Sequence, residues 1–180
     1  MGPRRVVVLA AVLILAACGG GEKTVTVYLS QRLGPDGPPG QIAPVLMPVE
    51  RSLRSASARP YQIVQLIRQG PAPGEWGEGF LETIGAETRV RSVSVLGSTA
   101  TVELDGEEPG LYGSAAIVYS LTSLPDIDTV QLRVNDRDCC VHRQSGQAIK
   151  ALTAKHFDGW QGEPCALRVK RDAVTCRHES

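Results

Sequence analysis

Arg89-Val-Arg-Ser-Val-Ser-Val95 and Thr99-Ala-Thr-Val-Glu-Leu104 are two short runs in which polar and apolar residues alternate, and Leu96-Gly97-Ser98 joins them. Alternation with β-branched side chains is typical of half-buried strands, and a short connection that contains glycine is typical of a hairpin. This stretch therefore predicts two antiparallel strands. The valines that we expect to face the core are Val93, Val95 and Val102.

After the hairpin the pattern changes from a period of two to a helical period. Leu111–Leu124 predicts a helix that ends before Pro125, because proline restricts the residue preceding it. Thr129–Val134 alternates again and predicts a further strand. We expect the helix to pack across the hairpin with Ile117 and Leu121 buried. Its small and apolar residues share one side: Ala115, Val118, Leu121 and Thr122, with Ile117 and Leu124 beside them.

Two strands and a helix are predicted before the hairpin. Thr24–Leu29 alternates in the same way, and Val45–Arg51 is a shorter run in which Pro48 favours an edge position. Gly34–Gly40, rich in glycine and proline, predicts a loop between them. The helix begins near Pro60 and stops at Gly70-Pro71, and four residues form its buried stripe: Ile63, Val64, Leu66 and Ile67.

The order of these elements, β–α–β–β–α–β, indicates an α+β fold with the helices on one face of a sheet. Hydrophobic residues make up 42 % of the chain, which is ordinary for a globular protein. Lysine plus arginine equals aspartate plus glutamate at 19 each, and only 4 % of residues are aromatic. The balanced charge and the scarcity of base-stacking side chains argue against nucleic-acid binding.

The N-terminus has the layout of a secretory signal peptide. Arg4 and Arg5 precede the apolar run Val6–Ala17, which is too short to be a comfortable membrane span. It ends in Leu15-Ala16-Ala17-Cys18, a pattern that resembles the bacterial lipobox. We expect residues 1–18 to be the leader, Cys18 to carry the lipid, and residues 19–23 to be a flexible tether. An uncleaved anchor and a buried N-terminal strand are the alternatives. About 160 residues remain, enough for one domain with its own core.

The other cysteines lie in the last quarter of the chain: Cys139, Cys140, Cys165 and Cys176. In an exported protein an even set predicts disulfides. On a strand, Cys139 and Cys140 would point to opposite faces, so we expect them to pair separately with Cys165 and Cys176, with Cys140–Cys165 preferred. A bond between the two neighbours ranks last. Zinc, with His142, His156 and His178, is the rival interpretation, but the spacing lacks a CxxC pair.

Other chemistry has weaker support in the sequence. There is no Gly-x-Ser-x-Gly turn, so Ser114 is expected to be a first-turn helix residue rather than a nucleophile. Cys139-Cys140 followed by His142 could be a thiol–imidazole pair, although a disulfide is favoured. A cluster of acidic and amide residues could hold calcium but lacks the calcium loop's glycine and glutamate: Asp126, Asp128, Asn135, Asp136 and Asp138. No catalytic, metal or cofactor-binding residue is therefore predicted.

Several short segments, in order, resemble the sporulation and spore germination (GerMN) domain. The first strand ends in Val27-Tyr-Leu29, and Pro48-Val-Glu-Arg51 follows. The first helix closes with Ile67-Arg-Gln-Gly-Pro71. The resemblance spans about Val25 to Asn135, and its remaining segments are the hairpin with Val93-Ser-Val95 and Ala100–Leu104, Tyr119-Ser-Leu-Thr122, Leu124-Pro125 and Val130-Gln131. Ile84-Gly-Ala-Glu-Thr88 departs from it, because the family has a proline-glycine step before the hairpin.

The resemblance implies a fold akin to ring-building motifs, without catalytic residues. It implies a GerMN-like domain over residues 24–135 and leaves residues 136–180 as a cysteine-containing C-terminal extension. The expected protein is a lipid-anchored lipoprotein on the outer face of the bacterial cell membrane. It would act non-enzymatically, as a protein-interaction or assembly module in sporulation, germination or envelope maintenance. Its partners would be envelope proteins, with no nucleic acid and no cofactor. A small-ligand or cell-wall-binding lipoprotein is the alternative, and an enzyme is the third possibility.

Overall fold

The computed structural model describes residues 23–32, 45–53, 59–141, 148–158, 166–170 and 173–177, the last two ranges by their backbone alone. The predicted leader, Cys18, the tether and the loop Gly34–Gly40 lie outside these residues.

The first two strands form a sheet of their own. β1 (Lys23–Gln31) pairs antiparallel with β2 (Val45–Leu53), and Pro48 lies opposite Tyr28. Alternate residues of β1 are buried, as period-two alternation predicts for a strand with one face on a core: Val25, Val27 and Leu29.

Helix α1 (Arg59–Gln69) follows, and Ile63, Val64 and Ile67 are fully buried. Leu66, predicted to be buried with them, is only half-buried because it lies at the margin of the apolar stripe. The helix ends where Gly70 adopts a φ of +72°, a left-handed conformation in which glycine carries no Cβ penalty.

The predicted hairpin is present. β3 (Arg89–Leu96) and β4 (Thr99–Asp105) pair antiparallel, with Val93 opposite Val102. Val102 is fully buried and Val93 half-buried, but Val95 is 42 % exposed, so its predicted burial is wrong. Its partner Ala100 is buried, so Val95 points to the core face. It stays exposed because β3 is the terminal strand of its sheet.

Helix α2 (Gly110–Thr122) connects β4 to β5 (Thr129–Val134), which runs parallel to β4. Ile117 and Leu121 are fully buried, as predicted. Every residue from 113 to 121 is buried, so α2 is enclosed on all sides rather than along one stripe. The short β6 (Arg137–Asp138) completes the sheet in the order β3-β4-β5-β6.

The α+β class is confirmed, but the arrangement differs from one sheet with helices on one face. The predicted strand over Val45–Arg51 is present as β2, although the order β–α–β–β–α–β did not count it, and β1–β2 forms a sheet separate from β3–β6. Both helices contact both sheets. A third pair, β7 (Ala166–Lys170) and β8 (Ala173–Arg177), is antiparallel. The two sheets are separate because β1 packs against the helices instead of pairing with the edge of the larger sheet. The backbone amide of Tyr28 in β1 donates to the Ser120 hydroxyl of α2.

Residues after β6 add to the same core. Cys139, Val141, Ile149 and Leu152 are buried in the cluster that contains the helices. Phe157 lies in a short 3-10 turn over 154–157, is fully buried, and accepts a hydrogen bond on its carbonyl from the Tyr119 hydroxyl. Burial also raises the pKa of Tyr119, so this hydroxyl remains a donor at neutral pH.

Candidate functional site

The outer face of the four-stranded sheet is polar because the strands alternate. In β4, the even-numbered residues Ala100, Val102 and Leu104 are buried under the helices. The intervening residues point the other way and are half-buried, as are their counterparts in β5: Thr99, Thr101, Glu103, Thr129, Gln131 and Arg133. This set defines the outer face.

Charged side chains on the outer face are paired with one another. Arg133 donates to Glu103 at 2.5 Å, and its Nε lies 3.8 Å from Asp138. Asp138 also accepts from Gln131 at 2.9 Å and forms an ion pair with Lys150 at 3.1 Å. The hydrogen bond from Gln131, and then that from Lys150, holds the pKa of Asp138 below its ordinary value. Glu103 and Asp138 therefore bind side chains of the same surface and do not line an open cleft.

The strand ends are tied in the same way. Thr99 and Thr129 share a hydroxyl hydrogen bond of 2.7 Å between β4 and β5. Arg91 forms ion pairs with both Asp105 and Asp136, the second at 2.6 Å. Its hydrogen bonds to these carboxylates raise the pKa of Arg91, which therefore stays charged.

The edge of the sheet is different in character, because apolar side chains face solvent there. Leu96 is 87 % exposed and Val95 is 42 % exposed. They precede a two-residue turn in which Gly97 has a φ of +59°, as the first position of a type II′ turn requires. We call residues Ser92–Leu96 the β3 edge. Sequence reasoning treated Leu96 only as part of the connection, although a large apolar residue beside a hairpin glycine was a usable signal.

Trp76 is the third large apolar side chain exposed in the described part of the chain, at 48 %. Its 3-10 turn, Glu75–Glu78, is braced from β2, since Arg51 donates two hydrogen bonds to Glu75 at 2.8 and 2.5 Å. These bonds from Arg51 lower the pKa of Glu75. The turn thus presents Trp76 on a rigid support.

The structure joins Cys139 to Cys140, the pairing that the sequence ranked last. The prediction that they pair separately with Cys165 and Cys176 is therefore corrected. The physical reason is that strand β6 stops at Asp138 and Cys140 adopts a φ of +82°, so the two residues lie in a turn. Their side chains need not point to opposite faces there. Both are buried.

The other predicted disulfide residues are only partly described. Cys165 lies outside the described residues, as do His142 and His178. Cys176 is described by its backbone, opposite Leu167 in the β7–β8 pair. The participation of Cys165 and Cys176 in disulfides stays a prediction.

Three of the side chains weighed for metal binding or catalysis, His156, Ser114 and Asp136, have structural partners. His156 Nδ1 lies 3.0 Å from both the backbone nitrogen and the hydroxyl of Thr153, in a capping box. Ser114 donates to the Gly110 carbonyl at 2.6 Å within its helix. Asp136 is paired with Arg91. Across the residues described, no group of three or more His, Cys, Asp or Glu side chains is placed to hold a metal ion.

A groove of about 460 Å³ lies between the end of β2 and α1. The described residues that line it are mostly polar: Ser52, Gln62, Gln65 and Gln69, with Leu53 and Leu66. A small-ligand lipoprotein would need an apolar pocket, whereas the lining of this groove is mostly polar. Within the described ranges, no helix is long and apolar enough to cross a membrane.

Comparison with known proteins bears on the fold. Residues 26–139 match the Germane family model, described as sporulation and spore germination. The tandem GerMN domains of the sporulation protein GerM from Bacillus subtilis share the fold with a TM-score of 0.58 and 17 % identity. That match covers 73 % of this chain, which spans only 45 % of the tandem chain.

The first GerMN domain of the same protein, alone, gives a TM-score of 0.51 at 18 % identity over 74 % of this chain and 98 % of its own. No curated protein sequence matches. Because the family model spans most of the chain, from β1 to the end of the four-stranded sheet, the chain belongs to the Germane family of sporulation and spore germination domains.

Proposed function

We propose that this protein is a lipid-anchored lipoprotein of the bacterial cell envelope whose GerMN domain acts non-enzymatically, as a protein-interaction or assembly module. The leader with its basic start, the small residues before Cys18 and the family membership support the anchor and the setting. The domain would sit on the outer face of the membrane, with envelope proteins as partners.

The observation that carries the interaction role is the division of the surface into paired polar groups and exposed apolar ones. The carboxylates Glu103, on the outer face, and Asp105 and Asp138, beside it, are each engaged by arginine or lysine. By contrast, Leu96 and Val95 expose apolar surface at the β3 edge, and exposed apolar patches mark contact sites between proteins.

A site-specific photocrosslink in producing cells tests this role. A photoreactive residue replacing Leu96, which is exposed at the hairpin tip, should give discrete crosslinked protein species in intact envelopes. Glu87 is the matched control, since it is also exposed but precedes β3, at the opposite end of the strand from Leu96. Equal, diffuse labelling from both positions would contradict an interaction role, as would a purified full chain that turns over substrate in a screen of hydrolase substrates.

A further inference from the structure

The β3 edge offers hydrogen-bonding groups as well as apolar side chains. Leu96 and Thr99 are directly opposed and close the two-residue turn. Such a closing pair exchanges both backbone hydrogen bonds, and the alternate residues direct their N–H and C=O groups the other way. The backbone groups of Leu96 and Ser94 therefore bond to β4, whereas the N–H and C=O groups of Val95 and Val93 point away from β4, towards the free side of β3. Among the described strands, none pairs with β3 on that side.

A charged residue often protects such an edge from pairing with another chain. The nearest charge in β3 is Arg91, at the irregularity between Val90 and Ser92. Its guanidinium reaches across the sheet to Asp105 on β4 and to Asp136 in the turn after β5. The charge is thus neutralised and drawn inward, and Ser92–Leu96 has no ionisable side chain of its own. The device that would discourage strand addition is absent from this segment.

We propose that two copies of this protein join through the β3 edge, as an antiparallel strand pair centred on Ser94. This deepens, and rests on, the proposed assembly role by naming its first partner as a second copy. In an antiparallel pair, directly opposed residues have their side chains on the same face of the sheet. A two-fold axis that relates the two β3 strands must therefore pass beside a residue that is opposite its own copy, not between two residues. With Ser94 at the axis, Val93 of each copy faces Val95 of the other.

The strand is complementary to itself in this register. Both outward-facing valines of each copy enter hydrogen-bonded pairs. An axis at Val93 would place Val95 opposite Arg91 at the irregularity of β3, and an axis at Val95 would place Val93 opposite Gly97 in the turn. Cross-strand contact between the valines covers Val95, which is 42 % exposed on the core face because no described strand lies beyond β3. Arg91 faces Gly97 of the second copy, so no like charges meet. The two four-stranded sheets become one continuous sheet.

Pairing along one short strand buries little area, so the dimer should be weak in dilute solution. A surface anchor would raise the effective concentration of the copies and favour pairing. The test therefore uses the full chain in the cell envelopes of producing cells. If the protein is recovered in another cell fraction, the same test is made there.

Engineered thiols at Ser94 and Ser92, whose side chains lie on the same side of β3, test the register. Ser94→Cys places a thiol opposite its own copy, where Cα atoms of a non-hydrogen-bonded pair are about 4.5 Å apart and a disulfide can form. Ser92→Cys is the matched control, exposed on the same face. It faces Leu96 instead, with its own counterpart roughly 13 Å away. Under mild oxidation we expect about tenfold more disulfide-linked homodimer from Ser94→Cys than from Ser92→Cys or the unmodified chain.

A second substitution separates pairing from folding. Val95→Pro removes an N–H that points to the edge and leaves the hydrogen bonds to β4 intact, so it should abolish the Ser94→Cys dimer with an unchanged circular dichroism spectrum. Equal dimer yields from the two serine variants would overturn the proposal, as would a dimer that survives Val95→Pro. If Ser94→Cys links only to a different envelope protein, self-pairing fails while the assembly role stands. A discrete homodimer without any Leu96 photocrosslink to other proteins would confine the role to self-assembly.

Discussion

The backbone amide of Tyr28 donates a hydrogen bond of 2.9 Å to the hydroxyl of Ser120, joining β1 to α2 across 92 positions of the chain. Ser120 is fully buried, and the Tyr28 and Tyr119 rings lie 5.3 Å apart beside it. This contact connects the β1–β2 sheet to α2, the helix that also packs on the four-stranded sheet. A single hydroxyl thus satisfies a strand amide that has no strand partner on that side.

Removing that hydroxyl should weaken the whole fold. In Ser120→Ala the Tyr28 amide loses its acceptor in a partly buried setting, so we expect the free energy of unfolding to fall by about 1–2 kcal/mol in urea denaturation. Ser123→Ala is the control, because Ser123 is exposed and its hydroxyl donates only to the Ser120 carbonyl at 2.8 Å. It should change stability by less than about 0.5 kcal/mol. A Ser120→Ala loss as small as that expected of Ser123→Ala would show that the Tyr28 contact is unimportant.

The brace under Trp76 predicts a pH dependence. Hydrogen bonds from Arg51 lower the pKa of Glu75 in the folded protein, so the folded state favours the carboxylate. The stabilisation is fully present above the unfolded pKa of about 4.3 and is lost as the pH falls through the lower folded value. Glu75→Gln should therefore reduce the free energy of unfolding by about 1–2 kcal/mol at pH 7.

The difference between Glu75→Gln and the unmodified protein should shrink as the medium is acidified below pH about 4. Denaturation curves at several pH values measure it. Glu78→Gln, an exposed glutamate of the same turn, is the control and should change stability little at any pH. A Glu75→Gln loss that is constant over the whole range would argue against the ionic origin.

The turn after β4 predicts a steep cost for a single methyl group. Gly106 has a φ of +95°, and a Cβ there would lie 2.1 Å from the Glu87 carbonyl oxygen. Its amide and carbonyl also bond the Asn135 side chain at 3.1 and 3.0 Å. We expect Gly106→Ala to lower stability by roughly 2 kcal/mol or more. Gly85→Ala, where a Cβ meets nothing within 4 Å, should be nearly neutral. Thermal unfolding of the two variants decides between them.

Lipid attachment predicts a change in the state of the mature N-terminus. The unmodified protein should partition into the detergent phase, because two or more acyl chains anchor a protein stably. Cys18→Ala should leave an unprocessed precursor or release the protein, whereas Ala17→Gly, a small-for-small change, should be processed as before. Mass spectrometry of the mature N-terminus is the measurement. A free, unacylated thiol at Cys18 would refute the anchor.

The cysteine arrangement predicts a specific peptide map. Digestion without reduction should leave Cys139 and Cys140 oxidised within one peptide, unlinked to the peptides of Cys165 and Cys176. Because the pair is oxidised, alkylation without reduction should label neither residue, even in the unfolded protein. Recovery of a Cys140–Cys165 link would restore the pairing expected from the sequence.

Much of the fold could be predicted where the pattern is local. The hairpin around Gly97 and the helix before Pro125 follow from alternation, period and punctuation, so Val102 and Leu121 were placed correctly. Val95 was not, because alternation determines which way a side chain points and not how far the covering layer extends. The candidate contact surface was harder still, since the exposure of Leu96 depends on which strand ends the sheet.

The sequence by itself determined the local elements, the α+β class and the family, because period, turn residues and their order are properties of neighbouring positions. Only the tertiary structure decided which strands meet. β2 pairs with β1 alone, Tyr28 finds Ser120, and Cys140 turns back on Cys139. The first two outcomes depend on how segments that are distant in the chain bury each other, and the third depends on the positive φ of Cys140. A local pattern of polar and apolar side chains predicts neither.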